Sequence, residues 1–295
     1  MTNSLPISQD GIINRTLNKL FMKKETGKET TPVNLTEVRE FAVHLLPRAG
    51  TILRRYYSSG DFTSFSKGGV DFATQADVKV DGFLRANIAR QFPQLQFLTE
   101  ETAPDDYASL NAASNLVIID PLDGTTNFSR GNPNFAISFA LAEKGSTRVG
   151  VAYVPMADQM YWAQEDREGV YLDGKQIHVS NTSDLKKVVL ACDWSWDLTK
   201  RMNVHRWLGN VLPNVRAVKS MGSAVADLAN LAAGNIDVYM HSGLKPWDVA
   251  ASSLLIQKAG GMITAPDGKP WDIFNPDMIA SNGILHSEIL RLIGQ

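Results

Sequence analysis

Leu116-Val117-Ile118-Ile119-Asp120-Pro121-Leu122-Asp123-Gly124-Thr125-Thr126-Asn127-Phe128 runs from a wholly apolar segment into two carboxylates, a glycine and two hydroxyls. Four aliphatic residues in a row have the length of a strand buried on both faces. Polar residues at the carboxyl end of such a strand stand where α/β architectures place ligands. Asp120 and Asp123 repel each other at this spacing, and a bound cation resolves the repulsion. Gly124 lets the backbone approach a ligand closely. If Thr125 opens a helix, its N–H groups offer an anion site beside the cation. The plain alternative is a turn in which Asp123-Gly124 reverses the chain and Asp120 caps it.

Two further segments share this character. Leu98-Thr99-Glu100-Glu101-Thr102 again sets carboxylates just beyond an apolar run, although alone it reads as a solvated acidic turn. Pro246-Trp247-Asp248-Val249-Ala250-Ala251 puts an aspartate in the first turn of a small-residue helix. Taken alone, Asp248 does no more than favour the helix dipole by about 0.3–1 kcal/mol.

Outward from these segments, Leu35, Val38, Ala42, Leu45, Ala49, Ile52, Leu53 and Tyr56 recur at helical steps after Asn34, with a kink predicted at Pro47. Residues 66–69 read as a loop. A second helix is predicted over 75–91, burying Ala76, Val80, Phe83, Leu84 and Ile88 and stopped by Pro93. Strands follow at 96–98, 116–119, 136–141, 149–154, 159–163 and 169–172, with an Asp173-Gly174 turn after the last. From about 185 the chain alternates: strand 188–192, helix 205–211, strand 215–218, helix 224–233, strand 237–240 and helix 247–259. The pattern is an α/β fold, more fully an α+β layered sandwich, in two closely packed sub-domains, 34–175 and 176–295. Residues 1–33 form an N-terminal appendage in which 11–24 has the makings of a short amphipathic helix.

Bulk properties exclude several functions. Of the 295 residues 44% are hydrophobic, ample for a large core. Lysine plus arginine total 29 against 31 acids, so the net charge of −2 gives no footprint for nucleic acid or an anionic membrane. Cys192 is the single cysteine, which rules out a disulfide framework within the chain and suits the cytoplasm. Packing is the plain role for it. No apolar run approaches the roughly 20 residues of a membrane span.

Together, the three acidic segments resemble the signatures of the inositol monophosphatase family of magnesium-dependent, lithium-sensitive phosphatases. The family pattern stands here as Glu100-Glu101, Asp120 to Phe128, and Trp247 to Ala251 followed by Ala259-Gly260-Gly261. The likeness extends from about residue 35 to the C-terminus. It implies a five-layer αβαβα arrangement, a homodimer and a small phosphorylated metabolite as substrate. It also implies that Glu100, Asp120 and the Leu122 carbonyl bind one Mg2+, that Asp123 bridges to a second, and that Asp248 completes the second site with Asp120. Glu100 positions a third, weaker ion in this scheme. Asp77 and Thr125 orient the attacking water and Glu100 helps to activate it, while Gly124 and Thr125 hold the phosphate by their N–H groups. Lys67 matches a loop that closes over the site, and Glu101 supports the ligands from behind. An oxygen-only donor set suits magnesium rather than zinc. The five histidines show no metal-ligand spacing, so direct attack by water fits better than a phospho-enzyme.

Substrate choice is less sharply marked. Gly222-Ser223-Ala224 resembles a substrate-contacting turn, or simply begins a helix. Inositol-specific relatives carry a glutamate where His241 stands, and histidine lacks the carboxylate's two acceptors. Inositol monophosphate leads by family habit. Histidinol phosphate, fructose 1,6-bisphosphate, nucleotide 3′-phosphates and NADP stay open. A haloacid-dehalogenase-type phosphatase needs Asp-x-Asp, whereas this chain has Asp120-x-x-Asp123. A non-catalytic magnesium-binding scaffold is the alternative of another class.

Overall fold

The computed structural model describes residues 33–68 and 71–294, so the expected appendage, all but Val33, and its 11–24 helix lie outside the described residues. Val33–Gln295 form one compact unit. Helix α1 (Leu35–Ser59) starts where Asn34 accepts a hydrogen bond from the Glu37 N–H at 3.2 Å, and it ends at Gly60 with φ +64°. Its predicted stripe Val38, Ala42, Leu45, Ala49 and Leu53 is buried, and the helix continues through Pro47. Residues 66–68 of the expected loop instead belong to strand β1 (Ser64–Gly68), which pairs antiparallel with β2 (Asp71–Thr74). Every β1 residue is exposed, so no apolar alternation marked it as a strand. Helix α2 (Gln75–Gln91) opens with a Thr74–Asp77 capping box.

The larger sheet takes its strands side by side in chain order: β3 (Gln96–Thr99), β4 (Leu116–Asp123), β5 (Ala136–Glu143), β6 (Ser146–Val154), β7 (Gln159–Gln164), β8 (Val170–Leu172) and β9 (Lys175–Ile177). Only β3 and β4 run parallel within it. Asp173 and Gly174, at φ +49° and +79°, turn β8 into β9 as the Asp-Gly signal predicts. A short helix α3 (Thr125–Ser129) follows β4.

The smaller sheet has the order β11-β10-β12-β14-β13. Its parts are β10 (Val189–Cys192), α4 (Leu198–Val211), β11 (Ala217–Lys219), α5 (Ala224–Ala232), β12 (Val238–Ser242), α6 (Pro246–Lys258), β13 (Met262–Thr264), β14 (Asp277–Ser281) and α7 (His286–Ile293). Helix α4 begins seven residues before the predicted 205, because Asp197 caps it by accepting from the Lys200 N–H at 3.0 Å. Its first turns are polar and hid the helical period. Strands β13 and β14 and helix α7 had no counterpart in the sequence reading. The strands are short and lie in a Gly- and Pro-rich stretch, where periodicity is weak.

Five layers result. α1 and α2 cover one face of the larger sheet, with Val80, Leu84, Ile119 and Phe139 in that core. α5 and α6 fill the space between the sheets. α4 and α7 cover the outer face of the smaller sheet, where the buried Cys192 packs with Trp207 and Met240. Burial pushes the Cys192 thiol up to about 12, so it remains a packing group. No helix among the described residues is long and apolar enough to cross a membrane.

Candidate active site

Strand β4 runs further than the predicted 116–119 and carries Asp120 and Asp123 inside it. A regular strand sends residues three apart to opposite faces. The register here moves from Asp120↔Ser138 to Asp123↔Ala136, three residues against two, so β4 contains a bulge. The extra residue restores parity and lets both carboxylates serve one centre. Pro121, with no N–H to leave unpaired, sits within the bulge. Asp120 accepts the Leu122 N–H at 2.9 Å. Asp248 arrives on the first turn of α6, where it accepts the Lys245 N–H at 2.7 Å.

One oxygen from each of Asp120, Asp123 and Asp248 lies within 4.8 Å of the others. Asp120 is buried and its two companions are half-buried. Burial, then the charges of Glu100, Asp123 and Asp248, hold the Asp120 carboxyl well above the usual range. Burial and Asp123 act likewise on Asp248. Burial raises Asp123 to about 7, although Ser223 and the Val225 N–H donate to it at 2.5 and 2.7 Å. Three closely spaced, oxygen-only groups, each raised by burial, fit a hard divalent cation.

Glu100 stands in a 3-10 turn (Glu100–Thr102) just after β3, outside the tight triad. The Lys67 ammonium bridges Glu100 and Glu101 at 2.7 and 2.8 Å. Burial alone would lower the Lys67 pKa, but the two carboxylates raise it. Burial lifts Glu101 to about 7 despite Lys67. Asp77 is fully buried, accepts Thr74 N–H at 2.8 Å and the Thr125 hydroxyl at 3.0 Å, and is raised by burial to about 6. The Leu122 carbonyl lies 3.1 Å from the same hydroxyl.

Gly124 has φ +94°, and a Cβ there would meet the Gly222 and Asn134 carbonyls at 3.0 and 3.1 Å. Gly222 and Ser223 therefore border the acidic centre, and Ser223 also caps α5. His241 is buried, at 6% exposure. Its Nδ1 has no partner, and burial lowers its pKa to about 4. The sequence reading missed Asp193, whose Oδ1 accepts Ser220 Oγ at 2.8 Å and the Gly222 N–H at 3.0 Å. It also missed Asp227, buried behind the same turn. Nothing in their spacing linked them to the three acidic segments.

The raised carboxyls fix the sign of a pH effect in metal-free protein. Asp77, Asp123 and Glu101 titrate near 6, 7 and 7, so the folded chain keeps protons that the unfolded chain loses near 4. The stability they contribute is complete below about pH 4 and drains away as pH rises through about 7. The melting temperature of chelator-treated protein is expected to fall between about pH 5 and pH 8, and divalent cation to raise it most at the upper end. A metal-free melting temperature that climbs across this interval contradicts the buried-carboxylate reading.

A layered α/β fold with acidic groups converging from β4 and α6 matches phosphoric monoester hydrolases. The model of the inositol monophosphatase family matches residues 34–295. The inositol-1-monophosphatase of Bacillus subtilis (strain 168) is 32% identical over 259 residues, 88% of this chain and 97% of that protein. The fructose-1,6-bisphosphatase/inositol-1-monophosphatase of Thermotoga maritima is 29% identical over 87% of this chain and 95% of its own. Among solved structures, the extragenic suppressor protein suhB of Bartonella henselae superposes with a TM-score of 0.80 at 31% identity, covering 88% of this chain and 99% of that one. The chain belongs to the inositol monophosphatase family and is a phosphoric monoester hydrolase.

Proposed function

We propose that the protein hydrolyses a small phosphate monoester by magnesium-assisted attack of water, with inositol monophosphate as the leading substrate. The observation that carries this reading is the convergence of Asp120, Asp123 and Asp248 within 4.8 Å. Glu100 and the Leu122 carbonyl are the further oxygens that would complete magnesium coordination. Bound magnesium would lower the pKa of a water and neutralise charge on the phosphoryl oxygens.

The remaining work falls to groups of the chain. Thr125 donates its proton to Asp77, so its oxygen is left to accept from a water O–H and aim that water. Asp77 fixes the hydroxyl rotor from a buried, capped position. The Gly124 and Thr125 backbone would take phosphate oxygens, at a place where a larger residue than glycine meets two carbonyls. Phosphoryl transfer relies on such positioning and charge stabilisation. Thr125→Val keeps the shape and removes the hydroxyl. Its kcat is expected to fall about 100-fold with little change in magnesium affinity; an unchanged kcat would remove Thr125 from the mechanism.

The leaving group would meet Gly222, Ser223 and His241. The buried, neutral His241 offers one donor and one acceptor where a glutamate would offer two acceptors, which keeps non-inositol phosphates in contention. The test is phosphate release from inositol 1-phosphate, histidinol phosphate, fructose 1,6-bisphosphate, a 3′-phosphoadenosine nucleotide and NADP, with magnesium and with chelator. Magnesium-dependent release from inositol 1-phosphate at the highest kcat/KM is expected. Faster release from another member reassigns the substrate. Magnesium binding by folded protein with no release from any of them favours the scaffold. Homodimerisation belongs to the same proposal, and sedimentation velocity at micromolar concentration tests it.

A further inference from the structure

Half of the unpaired buried polar atoms found among the described residues belong to Asp193 and to three residues on which its charge bears. They are Asp193 Oδ2, both Asp227 oxygens, the Tyr239 hydroxyl and His241 Nδ1. Asp227 is wholly buried in the first turn of α5, and its carboxyl stands within hydrogen-bonding reach of Asp193. Tyr239 is wholly buried on β12, with Asp193 and Asp227 as its strongest charged neighbours, and the His241 ring stacks parallel to it at 6.3 Å. The charges that bear on Asp227 are those of Asp193 and Asp123, both negative. Two carboxylates with no donor between them are costly to bury, unless one holds a proton and donates to the other.

Asp193 reaches the acidic centre through the backbone. Its Oδ1 holds Ser220 and Gly222. On the other side of this turn, Asn127 and Asn134 donate to the Met221 carbonyl at 2.6 and 2.8 Å, and Ser223 donates to Asp123. The turn is thus clamped between Asp193 and the bulged end of β4. We propose that Asp193 and Asp227 form a carboxylate–carboxylic acid pair that positions this turn, with the Asp227 O–H donating to Asp193 Oδ2 while Asp193 Oδ1 anchors Gly222. Neither residue touches substrate; both act through Gly222 and Ser223 on Asp123. The inference rests on the phosphatase reading only for the use made of Asp123. Burial and the Asp193 charge raise the Asp227 carboxyl to about 9, consistent with a proton retained at neutral pH.

The test has two parts that need no substrate. In calorimetry, Asp193→Ala is expected to weaken magnesium binding about tenfold, and Asp227→Leu to do the same. Asp227→Asn, which keeps an N–H donor, is expected to rescue most of that affinity. In the infrared spectrum of magnesium-loaded protein at pH 8, where Asp77 and Glu101 are largely ionised, a protonated-carboxyl band is expected. That band should vanish as pH rises through about 9 and be missing from Asp227→Asn. A purely structural role would lower the melting temperature and leave magnesium affinity unmoved. Folded Asp193→Ala with wild-type magnesium affinity overturns the proposal, as does a carboxyl band that survives undiminished in Asp227→Asn at pH 8. Failure of wild-type protein to release phosphate would sink the phosphatase reading, while both of these readouts stand.

Discussion

Asp120→Asn is expected to lower magnesium-dependent phosphate release at least 1000-fold while leaving the protein folded. The substitution is nearly isosteric, so the buried site keeps its shape. It removes one of three charges held within 4.8 Å of one another, the one most completely shut off from water. An amide still accepts the Leu122 N–H that the carboxylate accepts now. What it cannot supply is the negative charge that a hard cation demands. Removing that charge also relieves repulsion in metal-free protein, since Asp123 and Asp248 both raise the Asp120 pKa. The metal-free melting temperature should therefore equal or exceed that of wild type, and the rise produced by magnesium should largely vanish. Loss of rate together with loss of metal-free stability would mean that Asp120 serves the fold rather than the cation.

Gly150→Ala is expected to be the costliest small change in the core. Gly150 lies on β6 where α6 crosses the larger sheet, and a Cβ there would stand 2.5 Å from the Ala251 carbonyl oxygen. That oxygen is helix backbone and cannot swing aside, so α6 must move as a whole. Replacing glycine would otherwise gain about 0.4–1 kcal/mol from a stiffer unfolded chain. The clash should outweigh that gain and cost about 3 kcal/mol net, near the upper end for overpacking. Because Asp248 rides on α6, magnesium affinity should fall with stability. Denaturant unfolding beside calorimetry checks both, and a variant as stable as wild type would show that the close crossing is not needed.

The acidic segments were legible because each breaks an apolar run with carboxylates. What the sequence could not convey was their geometry. Spacing alone would send Asp120 and Asp123 to opposite faces of β4, and only pairing with β5 reveals the bulge that reunites them. Helix α2 read with its full extent, since its apolar period and the Pro93 stop agree. The β1–β2 ribbon did not, because β1, exposed along its length and ending in Gly68, has no hydrophobic face to show. The burial of His241 and the Asp193–Asp227 pair arise where β10, β12 and α5 meet, a long-range assembly with no local signature.

The central claim is that Asp120, Asp123 and Asp248 hold the activating metal. Crystals of the active protein grown with manganese in place of magnesium would test it through anomalous scattering. Peaks within coordination distance of all three carboxylates, absent from Asp120→Asn crystals, are the expected result. A flat map at the triad, at a manganese concentration that supports full phosphate release, would contradict it.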